Sequence, residues 1–273
     1  MRDLLTSWQD LPGLRLSDFG EFSEFYYLLL ILIFLFGACF GSFANAASMR
    51  IVRDEDPALQ PSRCRHCDTS LKWHHNMPLF GWLMLRGRSA CCDTSISPRY
   101  ILVEAGFGLI MVWLFATLPL AHAGLLSAAS LIMMIALLTD SEAMVLHPPS
   151  LLAGMILGWA APLLIDGWMI GFRDAMLGSL ICAGLIYSIN KGYYILRGHN
   201  GFGTGDVWLM GMIGAIYGSI IGIILFFLAT FLGALIGIAL IFAKKAEISS
   251  KLPFGLFLSV VFLLYPALNM LLN

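Results

Sequence analysis

The chain has 273 residues, of which 59% are hydrophobic and 12% are charged, and its mean hydropathy is +0.84. Charged residues make up about a quarter of an ordinary soluble domain, so this composition excludes a soluble fold and predicts an all-α polytopic membrane protein. The net charge of −1 points to no class of partner, because the charges are segregated along the chain.

The first 25 residues are polar and acidic and form a lead-in to the membrane. We expect no cleavable signal peptide, because the first apolar run is longer than the core of a signal peptide. That run predicts a first transmembrane helix over 26–49, since about 20 apolar residues cross a bilayer. Gly37, Gly41 and Asn45 follow at four-residue spacing and predict a face that packs closely on another helix.

Residues 50–100 form the one large polar loop, with eight Lys or Arg residues against five Asp or Glu residues. A basic loop that flanks two spans lies on the cytoplasmic side by the positive-inside rule. The lead-in over 1–25 is therefore expected on the opposite side of the membrane.

Four cysteines are grouped in this basic loop: Cys64, Cys67, Cys91 and Cys92. Two cysteine pairs that bracket a compact loop can form a tetrahedral structural zinc site. Two alternatives stay open, a fourth ligand from His66, His74 or His75 and a set of reduced structural thiols. A disulfide framework is disfavoured on the cytoplasmic side.

Seven further apolar runs lie at 101–120, 123–139, 150–166, 170–189, 207–221, 222–243 and 253–271. With the first run they predict about eight transmembrane helices, seven of them in a domain over 101–273. A hairpin near Tyr217-Gly218-Ser219 is expected to separate the two runs inside 207–243. Counting crossings from the basic loop places Asp140 and the 190–206 loop on the cytoplasmic side and both chain termini on the other.

Two carboxylates are candidates for chemistry. Asp140 ends one apolar run, and Asp206 opens another within Gly203-Thr204-Gly205-Asp206, a GxGD motif. Ionisable groups at membrane spans are costly and are functional candidates by default. Two carboxylates that share one proton can serve as general base and general acid on a water and an amide, which predicts aspartic protease chemistry.

Other interpretations of these acids stay open. Each Asp could cap a helix, with Asp206 as an N-cap residue. The pair could instead relay protons in a proton-coupled transporter, or the chain could be a membrane-anchored zinc module that recruits partners. Glu142, close to Asp140 in sequence, could either support it or be a plain boundary residue.

The motifs together resemble one protein family. They are the GxGD motif, the span that ends in Asp140, Gly41-Ser42-Phe43 with Asn45, the Cys-rich basic loop, and Leu252-Pro253-Phe254-Gly255. In their order along the chain they are similar to type IV prepilin leader peptidases, bacterial inner-membrane aspartic proteases of type IV pilus and type II secretion systems. In one respect the chain departs from the family pattern: Ser89 and Cys92 occupy the positions of the second C-x-x-C pair, with Cys91 between them.

The resemblance implies a function. It implies that Asp140 and Asp206 are catalytic, that the basic leader of prepilins or pseudopilins is cleaved at the cytoplasmic face, and that 1–25 and the C-terminus are periplasmic. It also implies N-methylation of the new N-terminus with S-adenosylmethionine, for which the sequence offers no nucleotide-binding fingerprint. The expected partners are prepilins and the lipid bilayer, with no nucleic acid.

Overall fold

A computed structural model of the protein describes residues 11–20, 23–58, 60, 62–64, 66–199, 201–243 and 252–272. Over these ranges the regular structure is helical, apart from two isolated β-bridges. The α-helices are α1 (Glu24–Val52), α2 (Phe80–Met84), α3 (Arg99–Thr117), α4 (Leu120–Ala143), α5 (Pro148–Leu164), α6 (Phe172–Arg197), α7 (Thr204–Phe242) and α8 (Phe254–Leu272). Short 3-10 helices lie at Leu16–Phe19 and Trp73–Asn76.

Five of the described helices are long and apolar enough to cross a membrane: α1, α3, α4, α6 and α7. Pro148–Leu164 and Phe254–Asn269 are apolar but shorter. The prediction of an all-helical polytopic membrane protein is confirmed. By length and hydropathy the described helices supply five candidate spans, fewer than the eight expected.

The chain forms two compact units, one of Leu14–Ser127 and one mainly of Ala128–Asn273. In the first unit α1 packs against α3 through small residues. A Cβ atom at Gly41 would lie 2.7 Å from the Cα atom of Glu104, so the two backbones touch there. Asn45 donates from Nδ2 to the carbonyl of Tyr100 at 3.4 Å. The predicted packing face of α1 is therefore confirmed.

In the second unit α5, α6 and α8 all pack against α7. The approach to α6 is closest at Gly178 and Gly214, where a Cβ atom on either residue would overlap the backbone of the other. Residues 209–218 of α7 are all buried. Lipid supplies no hydrophobic driving force for helix association. Close packing between backbones, which these small side chains allow, therefore holds the helices together.

Gly218 interrupts α7 with φ 81° and ψ 173°. A Cβ atom at Gly222 would lie 3.7 Å from the Cα atom of Gly214, whereas eight residues of a straight helix span about 12 Å. The chain therefore folds back at Gly218, inside the predicted hairpin. Glycine suits this position because a positive φ carries no Cβ penalty there.

Candidate active site

Asp140 lies in the last turn of α4 and its side chain is buried, with 5% exposed. Its Oδ2 atom accepts a hydrogen bond from the backbone N–H of Leu256 at 2.8 Å. Leu256 belongs to the first turn of α8, where N–H groups have no partner within the helix and the helix dipole favours an anion. A Cβ atom at Gly255 would lie 3.0 Å from the same oxygen, so the carboxylate rests directly on the backbone of α8.

Asp206 lies at the third helical position of α7, after the N-cap residue Gly203, and is 8% exposed. Its Oδ2 atom accepts a hydrogen bond from the backbone N–H of Gly203 at 2.9 Å. An acid at this position that reaches back to the N-cap N–H stabilises the start of a helix. The interpretation of Asp206 as the N-cap residue is therefore wrong, although its carboxylate does bind the helix start.

Asn190 was not singled out from the sequence, yet it shapes the loop that delivers Asp206. Its Oδ1 atom accepts hydrogen bonds from the backbone N–H groups of Gly201 at 2.9 Å and Phe202 at 3.1 Å. The ring of Phe202 packs on Phe254 with centroids 5.1 Å apart. The GxGD loop is thus tied to α6 on one side and to the start of α8 on the other. An amide close to the end of an apolar span was the available signal.

The ends of α4, α7 and α8 meet around these acids. A Cβ atom added at Gly205 would lie 2.5 Å from Leu146, and one added at Gly255 would lie 3.2 Å from it, so Leu146 packs closely against both glycines. Gly205 directly precedes Asp206 in the chain, and Gly255 lies against Asp140. The two sequence-predicted acids therefore lie in one part of the second unit, each with one oxygen bound to a backbone N–H. Glu142 lies on the exposed end of α4.

The four loop cysteines form a second cluster, in the first unit. Their Sγ atoms all lie within 4.8 Å of one another. Sulfur separations are 3.7 Å for Cys64 and Cys92, 3.1 Å for Cys67 and Cys91, and 3.9 Å for Cys91 and Cys92. Zinc bonded to four sulfurs at about 2.3 Å places them about 3.8 Å apart. The donor set therefore fits a tetrahedral metal ion, and among the described residues no histidine joins it.

The cluster is built from two matching turns, over the described residues of 63–71 and over 88–96. The backbone N–H of Cys64 donates to the carbonyl of Thr69 at 2.9 Å, and that of Ser89 donates to Thr94 at 2.8 Å. Each turn continues through an aspartate with positive φ, Asp68 at 57° and Asp93 at 53°. Ser89 thus occupies the place that Cys64 has in the first turn. Its Oγ atom lies 3.3 Å from the Sγ of Cys64 and 3.0 Å from the Sγ of Cys91.

The thiols differ in acidity. A hydrogen bond from Ser89 lowers the pKa of Cys64 to about 5, and one from Thr94 lowers the pKa of Cys92. Ser89 also lowers the pKa of Cys91, but the contact with Cys67, burial and the other thiols together raise it to about 12. Part of the cluster is therefore ready to bind a cation, and Cys91 must lose a proton to join it.

The chain is similar in sequence to the members of one known protein family. The chain matches the Bacterial Peptidase A24 N-terminal domain over residues 35–118 and the Type IV leader peptidase family over residues 127–238. It is 32% identical over 206 residues to the "Prepilin leader peptidase/N-methyltransferase" of Stutzerimonas stutzeri, an alignment that covers 74% of this chain and 70% of that protein. The chain belongs to the type IV leader peptidase family. The resemblance inferred from the motifs is confirmed.

Other members of the leader peptidase family align over similar lengths. The "Prepilin leader peptidase/N-methyltransferase" of Aeromonas hydrophila is 30% identical over 260 residues, covering 86% of this chain and 89% of that protein. The protein of the same name from Myxococcus xanthus is 31% identical over 229 residues, covering 79% of this chain and 64% of its own length. No solved structure matches the chain.

This leader peptidase family member also has a cavity of about 400 Å³ in its first unit, next to the cysteine turns. Ser42 and Met49 of α1 and Tyr100 and Glu104 of α3 line one part of it, and Trp82 of α2 lines another. Its charged lining residues have both signs: Arg50, Arg53, Arg63, Glu55, Asp68 and Glu104. The volume lies in the range of small-molecule sites. Composition and periodicity gave no sign of this cavity, because its lining comes from α1, α2, α3 and the cysteine turns together.

Proposed function

We propose that this protein is an aspartic endopeptidase that removes the basic leader from type IV prepilins or type II pseudopilins. The observation that carries the proposal is the placement of Asp140 and Asp206 at helix ends that meet around Leu146, each acid bound to a backbone N–H. Membership of a peptidase family favours proteolysis over proton-coupled transport. It also gives the GxGD motif a role that a zinc module would leave unexplained.

The proposed chemistry uses the carboxylate pair as a unit. Each Oδ2 atom is held by a backbone N–H, which leaves the other oxygen of each acid for water and substrate. Two nearby carboxylates hold one proton between them, so one accepts a proton from the attacking water while the other protonates the leaving amine nitrogen. Because the pair titrates together, neither acid is assigned a fixed role as acid or base.

The proposed setting is the bacterial inner membrane with the two acids at the cytoplasmic face. If α5, α8 and both halves of α7 each cross, the chain has eight crossings and both termini in the periplasm. The basic leader of the substrate would stay in the cytoplasm while its apolar segment lies in the bilayer. That arrangement presents the scissile bond at the membrane surface, next to the acids.

The acids can be tested directly. Asp140→Asn and Asp206→Asn should each slow leader removal from a co-expressed prepilin by about 10²- to 10⁴-fold, the usual worth of a general acid or base. Asp174→Asn is the matched control and should leave cleavage unchanged, because Asp174 lies in the first turn of α6, at the end opposite to Asn190. Mass spectrometry of the pilin N-terminus gives both results. Wild-type processing by both Asn variants, with normal membrane insertion, would contradict the proposal.

A second activity, N-methylation of the new N-terminus, is favoured by the cavity in the first unit. Relatives carry N-methyltransferase in their names, and the cavity offers the two aromatic side chains Trp82 and Tyr100 together with charges of both signs. These groups fit S-adenosylmethionine, which has an aromatic base, an ammonium group and a carboxylate and supplies an electrophilic methyl group. In this proposal the aromatic side chains hold the base, while the Arg and Glu side chains orient the charged end.

Binding of the methyl donor can be measured without turnover. Trp82→Leu should weaken binding of S-adenosylmethionine to the purified protein by about tenfold, the scale of losing one base-stacking aromatic. Trp113→Leu, on α3 and outside the cavity lining, is the control. Leader cleavage should persist in both variants. Equal affinity in wild type and Trp82→Leu would remove the cavity from consideration.

We also propose that the four cysteines hold one structural zinc ion. Cys64, Cys67, Cys91 and Cys92 would supply all four ligands, and the metal would tie the two turns together. Because such a site has no open position, its role is to stabilise the loop that forms one wall of the cavity.

A further inference from the structure

The segment around α2 exposes large apolar side chains although it belongs to the polar loop. Its exposed residues are Trp73 at 78%, Met77 at 41%, Phe80 at 49%, Leu83 at 56% and Met84 at 71%, and together they are called the α2 surface. Large exposed apolar side chains grouped in one segment are typical of a contact with a partner or a membrane.

The position of α2 along the membrane spans indicates which partner. The backbone N–H of Leu79, just before α2, donates to the Oε2 atom of Glu104 at 2.7 Å. Glu104 is buried against α1 and lies five residues after Arg99, the first residue of α3. Five helical residues rise about 7.5 Å. The hydrogen bond therefore holds the start of α2 beside the first two turns of α3, at the end of that span next to the basic loop. Interfacial helices lie at such a boundary, about 5 to 10 Å into the headgroup and acyl region.

Charges border the α2 surface at both ends in sequence. Lys72 precedes it and Arg86 follows it, both exposed, whereas Arg88 is paired with Asp93 at 2.9 Å. Leu102, two residues before Glu104 on α3, is 69% exposed and lies at a similar height. Apolar side chains at this depth with Lys and Arg nearby match the boundary between acyl chains and anionic headgroups.

We propose that the α2 surface lies in the cytoplasmic leaflet, with anionic phospholipid as its partner. The opposite side of α2 faces the protein, since Trp82 donates from Nε1 to the carbonyl of Ile96 at 3.2 Å and lines the cavity. The helix then separates the cavity from the lipid. The loop over 50–100 is thus an interfacial element in part, and this inference does not depend on the peptidase proposal.

Photo-crosslinking from the full-length protein tests the proposal. A benzophenone amino acid at Met84, in nanodiscs of phosphatidylethanolamine and phosphatidylglycerol, should give about tenfold more phospholipid adducts than the same group at Ala58. Ala58 is also exposed but follows the end of α1. Adducts are identified by mass spectrometry after illumination.

The charges are tested by a second comparison. Replacing Lys72 and Arg86 together by Gln should lower the ratio of phosphatidylglycerol to phosphatidylethanolamine adducts at position 84 toward that of the bulk lipid. Equal lipid labelling from positions 84 and 58 would overturn the proposal. So would adducts at position 84 with a co-reconstituted prepilin in place of lipid, which would assign the surface to the substrate.

Discussion

At the scale of single residues, the candidate site depends on backbone atoms that hold carboxylates. Asp140 is bound by α8 and Asp206 by the residue that begins its own helix. The hydrogen bonds described for the two acids come from backbone N–H groups and not from cationic side chains. The positions of both carboxylates are therefore set by helix ends, and side chains at those ends decide whether a carboxylate fits.

Gly255 gives a sharp test of this arrangement. Gly255→Ala would add a Cβ atom 3.0 Å from the Oδ2 atom and 3.1 Å from the Cγ atom of Asp140, tighter than ordinary contact. We expect leader cleavage to fall by about 10²-fold, since displacing a reacting group by about 1 Å has that effect. Gly184→Ala, where an added Cβ meets nothing within 4 Å, is the control. Unchanged kcat in Gly255→Ala would show that α8 does not position Asp140.

The cysteine turns give a second test at this scale. Cys91→Ser should abolish stoichiometric zinc binding, measured by metal analysis of the purified protein, because one of four ligands is lost. Adding Ser89→Cys to that variant should restore zinc, since Ser89 has the backbone position of Cys64 in the matching turn. Cys39→Ser, in α1, should leave the zinc content unchanged. A double variant without zinc would contradict the equivalence of the two turns.

Zinc affinity should also depend on pH. Thiols bind zinc as thiolates, and the pKa of Cys91 is raised to about 12, so its proton must leave when the metal enters. Protons compete with the metal; affinity should therefore rise with pH and be lost in acid, where Cys64, with a pKa of about 5, also becomes protonated. Calorimetry in buffers of different ionisation enthalpy should record proton release near neutral pH. No proton release would contradict this view of Cys91.

At the scale of elements, close helix contacts hold the first unit together. Gly41→Val would force side-chain atoms into the backbone of α3 at Glu104. Overpacking of this kind destabilises by about 1 to 3 kcal/mol, and here the neighbour is backbone that cannot rotate away. We expect a lower midpoint of thermal unfolding in detergent. Gly106→Val, where an added Cβ meets nothing within 4 Å, should shift the midpoint far less.

The first half of α7 is the element whose length sequence patterns explain least well. Residues 204–217 would form a helix only about 21 Å long, shorter than a hydrocarbon core of about 30 Å. Burial of 209–218 by neighbouring helices explains how so short a segment is accommodated. Protein, and not lipid, surrounds this segment, so its two ends do not need to reach the headgroups.

At the scale of the whole molecule, the proposed eight crossings fix the side of every loop. Alkaline phosphatase, active only in the periplasm, should be active when fused after Ser219 and inactive when fused after Val145. The reason is that the fold-back at Gly218 and the loop after α4 would lie on opposite sides of the membrane. An inactive fusion after Ser219 would show that the first half of α7 does not reach the periplasm.

The sequence by itself determined the class of the molecule and its candidate acids. A long apolar run must form a helix in lipid because every backbone polar group needs a partner there. The small residues of α1, the glycine at the α7 break and the four cysteines were each apparent from local spacing, and the structure places them as that spacing predicted. The GxGD motif marked Asp206 in the same way.

Only the tertiary structure decided how these parts meet. Asn190 binding the GxGD loop, α8 holding Asp140, and the contact of Ser89 with Cys64 all depend on residues far apart in the chain. The attachment of α2 to α3 is another such property, since it rests on the hydrogen bond from Leu79 to Glu104. Local patterns report which face of a helix is apolar, whereas contacts between distant segments follow from packing, which no single segment encodes.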